Sequence, residues 1–219
     1  MSKVKIAALG IALLTMVIAL VGARVEKRTA RSSAEVRNVS VYWHPQSGEG
    51  DVPGAIARLV RNNNNINVSF HANDLNSGNV YTLWWIVVNN PENCRAFPCT
   101  AAEVLGKTEA LQADVTYAGG IVAGEGGMGT LTGHLSKGKL SNSWFGNGFQ
   151  DTRGAELHLV VNDHGPKIPS QLGDMLHTYR GGCTDESLPP LFPATAKSDG
   201  IPGPNTCKLY QTAIFQPEK

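Results

Sequence analysis

The segment Val80–Val88 is apolar at nearly every position, on both phases of a β alternation. A strand of that kind needs cover on both faces, so it belongs at the centre of a sheet rather than at its edge. It stops at Asn89, Asn90 and Pro91, where proline removes a ladder donor. Any fold for this chain must therefore provide two apolar layers, one on each side of this strand.

The neighbouring segments are simpler. Val39, Val41 and Trp43 alternate with Ser40, Tyr42 and His44, and Ile66, Val68 and Phe70 alternate with Asn67, Ser69 and His71. These are half-buried strands, separated by turns such as the asparagine run 62–65. Further strands are expected over 113–118, 128–135, 156–161 and 209–215, giving seven. In the third of these, Leu157, Leu159 and Val161 face inward, with Glu156, His158 and Val160 outward. A short helix is predicted over 100–105 with Thr100 as its N-cap, and another over 170–179. Residues 188–204 hold five prolines and read as a long ordered loop. Twenty-four glycines and twelve prolines favour turns over long helices. No βαβ alternation occurs, so the expected fold is all-β, an antiparallel β-sandwich of immunoglobulin-like or chordin-domain-like type.

The amino end limits where this fold works. Lys3 and Lys5 precede seventeen uncharged residues, Ile6 to Gly22, which end in Val21, Gly22 and Ala23. This is the three-part pattern of a secretory signal over residues 1–23. A retained anchor over residues 6–23 is the alternative, since the run sits near the minimum length for a span and Arg24, Lys27, Arg28 and Arg31 follow it. Residues 24–37 read as a polar leader, and residues 38–219 as a single domain. Export places the domain in the periplasm or outside the cell, with the membrane involved only through an uncleaved N-terminus.

In that setting Cys94, Cys99, Cys183 and Cys207 read as two disulfides. Proximity favours Cys94–Cys99 and Cys183–Cys207, and no Cys-x-x-Cys pair is available for a zinc site. The formal net charge is +1 and loses two lysines with the signal. Such a near-neutral domain lacks the basic surface that nucleic-acid binding requires.

Recognisable catalytic motifs are missing. Residues 124–129 match G-x-G-x-x-G, but they run into a strand pattern instead of a helix, so they make a turn rather than a phosphate loop. Asp151, Glu156, Asp163 and Asp174 are scattered without a spacing that demands acid–base chemistry. Histidine is the one residue type that hints at a site. His134 and His158 lie on outward phases, and Asp163 and His164 follow on the same segment, so adjacent strands could gather them around zinc or copper. The competing expectation is that these are ordinary polar residues and that no cofactor is bound. Trp84 and Trp85 point to opposite faces. One could serve a glycan-binding surface, but their apolar neighbours favour core packing for both.

Three stretches carry a resemblance: 81–94 (YTLWWIVVNNPENC), 154–166 (GAELHLVVNDHGP) and 179–186 (YRGGCTDE). Over about residues 67–215 the chain is similar to a family of exported bacterial proteins without an established activity, which brings no catalytic residues with it. A fainter similarity is to chordin-type sandwich domains. The resulting expectation is a non-enzymatic exported protein that binds a small ligand, a glycan or a partner protein, or serves a structural role. The alternative is a metal-binding protein or metalloenzyme built on the histidines.

Overall fold

The computed structural model describes residues 34–218. The signal or anchor over 1–23 and most of the 24–37 leader lie outside the described residues. Within them, no helix is long and apolar enough to cross a membrane. The leader gives way to structure sooner than expected, because the first strand, β1 (Glu35–Trp43), includes its last three residues. Glu35 and Arg37 continue the phase of Val39 and are half-buried at the end of the strand, where Arg37 pairs with Glu35 at 2.5 Å and donates to the Gln216 carbonyl.

Seven more strands follow: β2 (Asp51–Arg61), β3 (Asn65–Ala72), β4 (Asn79–Val88), β5 (Ala113–Val122), β6 (Gly129–Ser136), β7 (Glu156–Pro166) and β8 (Lys208–Phe215). Every neighbouring pair is antiparallel, and the order across the sheet is β5-β4-β7-β8-β1-β2-β3-β6. The antiparallel all-β expectation is met. The arrangement differs from two stacked sheets, since one ladder runs through all eight strands and curls until its edges meet.

Those edges, β5 and β6, are consecutive in the chain and joined by the glycine turn at 123–128. They touch without forming a ladder. A Cβ on Gly119 would lie 2.6 Å from the Thr132 carbonyl oxygen, and one on Gly133 would lie 2.9 Å from the Ala118 Cβ. Only glycine permits this approach, and the near-closure leaves little free edge for another chain.

Inward residues fill the barrel. Phe70, Leu83, Trp85, Leu157, Leu159 and Phe215 are completely buried there, each contributing roughly 1.5–3 kcal/mol relative to exposure. Arg61 closes one end. It is 1% exposed, and its guanidinium donates to the carbonyls of Thr152, Arg153, Ala155 and Gln216.

β2 is the strand that the alternation did not predict. Pro53 and Gly54 look like a loop, and Gly54 does adopt a positive φ of +75°. The β1–β2 register shifts between Ser40 and Tyr42, so the strand absorbs the pair as an irregularity and continues.

The second apolar layer lies outside the barrel, over β4, β5, β7 and β8. It consists of the segment after β6, the long connection between β7 and β8, and two short helices after β4, α1 (Ala101–Gly106) and α2 (Thr108–Leu111). Thr100 caps α1 in a reciprocal box with Glu103. The backbone N–H groups of Arg95 and Thr100 hold the Glu103 carboxyl down at about 2. In the long connection, a helical turn at Pro169–Gln171 runs into α3 (Leu172–Met175), and α4 (Ala194–Lys197) interrupts the proline-rich stretch. Both disulfides are present, with the pairings that proximity favoured, Cys94–Cys99 and Cys183–Cys207. They point to an oxidising, extracytoplasmic setting.

Candidate functional site

β7 explains how the outer layer acquires polar groups. Its inward residues Leu157, Leu159 and Val161 belong to the barrel core. Its outward residues Glu156, His158, Val160, Asn162 and His164 are buried as well, each at most 8% exposed, because the loop layer covers them. A buried polar side chain must find a partner within the protein.

At the far end of the strand His164 is fully satisfied. Its Nδ1 contacts the Gly181 carbonyl oxygen at 2.8 Å, and a carbonyl can only accept, so Nδ1 carries the hydrogen. Nε2 then accepts the Thr82 hydroxyl hydrogen at 2.7 Å, while the Thr82 oxygen accepts the Trp84 indole N–H at 2.8 Å. Burial pushes the His164 imidazole down to about 4, against smaller opposing effects of the Gly181 contact and the Asp174 carboxylate. The ring is neutral at physiological pH and locks the outer layer to the sheet.

At the near end His158 is only half satisfied. Its Nε2 lies 2.5 Å from Glu156 Oε1, which also accepts the Cys99 backbone N–H at 2.8 Å. The Cys94–Cys99 disulfide loop thus holds the carboxylate, and the carboxylate orients the ring. Among the described residues His158 hydrogen-bonds Glu156 alone.

His158 borders a groove of about 220 Å³. Trp84, Ile86, Val160 and Ile214 supply its apolar floor from β4, β7 and β8. Val104 and Leu105 of α1 wall it on one side, and Trp144, Tyr179 and Phe192 on the other. The aromatic wall packs on itself: Trp144 meets Tyr179 edge to face at 4.9 Å, and Trp84 meets Tyr179 at 5.2 Å. His44 and Thr212 complete the polar minority of the lining, and burial lowers the pKa of His44.

The residues expected to share a metal lie apart. β6 is separated from β7 in the sheet, and its His134 bonds Asn67 and Ser136 at the surface. Asp163 occupies the opposite phase from His158 and His164, where it accepts from Asn79, Tyr81 and the Gly165 N–H. His158 and His164 share a face, but six residues of strand place them roughly 20 Å apart. Among the described residues, the group within reach of one ion is His164, Cys183 and Cys207. Its two sulfurs are joined to each other and offer no thiolate.

Glu156 is the residue that sequence reasoning left among scattered acids. The available signal was its spacing of two from His158 on one strand, which places both side chains on one face. No protein-family model, curated protein or solved structure matches the chain.

Proposed function

We propose that this chain is an exported, non-catalytic binding protein whose ligand occupies the outer groove over β4, β7 and β8. The reading follows the resemblance to exported bacterial proteins in placing the domain outside the cytoplasm. The observation that carries it is the groove itself. The outward side chains of β7 beyond this point, Asn162 and His164, are covered by the loop layer, whereas here about 220 Å³ is left open between α1 and the rings of Trp144, Tyr179 and Phe192. Small-ligand sites have this character, mostly apolar with a few placed polar groups.

A glycan is less well suited, because sugar-stacking aromatics need open faces and Trp84 and Trp144 are 3% and 7% exposed. For catalysis, His158 would need a nucleophile or activated water beside it, and among the described residues its hydrogen-bond partner is Glu156. The zinc or copper alternative draws no support from the positions of His134, His158, Asp163 and His164.

Titration with small monocyclic hydrocarbons, followed by tryptophan fluorescence and thermal shift, tests the proposal. Saturable quenching and a concentration-dependent rise in Tm are expected, and Val160→Trp, which fills the groove floor, should abolish both. Absence of saturable binding, or binding indifferent to Val160→Trp in a folded variant, would overturn it.

A further inference from the structure

The ligand class can be narrowed from His158, on the reading that the groove is a binding site. Glu156 Oε1 sits 2.5 Å from Nε2, and a carboxylate oxygen accepts, so in the singly protonated ring the hydrogen is on Nε2. Nδ1 is then left with its lone pair. It has no protein partner among the described residues, and it is absent from the buried polar atoms that lack both a partner and solvent access, so it reaches the groove. The residue is 8% exposed. An oriented acceptor that has no protein donor among the described residues and opens into a mostly apolar groove is left for water or a ligand hydroxyl to donate to.

Size sets the other limit. An apolar cavity of about 150 Å³ accepts benzene, so a groove of about 220 Å³ suits one ring with a short substituent. We propose that the ligand is a neutral, monocyclic, hydroxyl-bearing compound, such as an alkylphenol, whose ring lies among Trp84, Trp144, Tyr179 and Phe192 and whose hydroxyl donates to His158 Nδ1. Beyond His158, the polar side chains of the lining are His44 and Thr212. The Glu156 carboxylate beside the ring disfavours an anionic ligand.

Binding of 4-propylphenol and 4-propyltoluene, which differ only in hydroxyl for methyl, is the direct test. Calorimetry on the wild-type protein should show the phenol binding at least tenfold more tightly. In His158→Phe combined with Glu156→Gln, which leaves no unpaired carboxylate, the two should bind within about twofold. His158→Gln retains an acceptor and should keep part of the preference, which provides a second variant if the double one does not fold. Equal binding of both probes to the wild type would overturn the hydroxyl assignment and leave the groove reading intact, as would a preference that survives the loss of His158. Tighter binding of 4-propylbenzoate than of the phenol would also overturn it. Failure of both neutral probes to bind would overturn the groove reading instead.

Discussion

His158 and His164 lie on the same face of the same strand, both beneath the loop layer, yet the protein uses them differently. At the His164 end each ring nitrogen has a partner, the connection carries a disulfide, and the space is closed. At the His158 end one nitrogen has a partner, the other faces a groove, and aromatic rings stop short of filling it. A single strand thus presents a clamp and a candidate site on one surface. Stability should depend on the first, and ligand selectivity on the second.

The largest effect is expected from breaking the clamp. His164→Ala removes a fully buried ring and leaves the Gly181 carbonyl and Thr82 hydroxyl without that partner. Cavity and hydrogen-bond losses together should cost roughly 3–5 kcal/mol, read as a lower urea midpoint. Next comes the covalent half of the same end. Replacing Cys183 and Cys207 together with alanine frees a loop with a sequence separation of 24, which the chain-entropy account sets at about 3.5 kcal/mol. If either change left the midpoint where it was, the division between clamp and site would fail.

Titration sharpens the comparison. The His164 ring is held at about 4 when folded, against 6.5 for a free ring. The unfolded chain therefore takes up the proton first as the medium is acidified. The stability that His164 contributes is complete above its unfolded value of 6.5 and is lost as the pH falls from there toward 4. Between pH 7 and pH 5 the loss should be roughly 2 kcal/mol. Asp174 faces the ring and opposes the shift, and Asp199 nearby has a raised pKa of its own, so the useful quantity is the difference between wild type and His164→Asn. A slope that persists in the variant would assign the acid sensitivity to another group.

How far the two ends could be read from sequence follows from the physics of each signal. The double-phase run at 80–88 required cover on both sides, and both covers exist: Trp85 in the barrel and Trp84 beneath the loops. Alternation gave seven strands and their inward faces, and Thr100 gave a helix start. β2 escaped because Pro53 and Gly54 mimic a loop when the bulge that absorbs them is unseen. Strand order escaped for a more general reason. Alternation says which side chains share a face and nothing about which strands are neighbours, so His134 and His158 could be imagined together although β6 and β7 do not pair. Glu156 was visible on the same phase as His158, but its significance depends on burial and on the Cys99 N–H, which come from distant parts of the chain.

The smallest effect on stability is expected at the site itself. His158→Gln places an amide where the ring was, able to donate toward Glu156 and to keep an acceptor near the groove. Glu156 also retains the Cys99 backbone N–H at 2.8 Å, so its carboxylate is not stranded. The groove already leaves space beside this position, so little close packing is lost. Destabilisation should stay below about 1 kcal/mol, within the range of substitutions that create neither a cavity nor an unpaired charge. The same variant should weaken the preference for 4-propylphenol over 4-propyltoluene, because the amide is not held in place as the ring is. A loss of stability matching that of His164→Ala would mean that His158 is a second clamp, and that the groove beside it is incidental to packing.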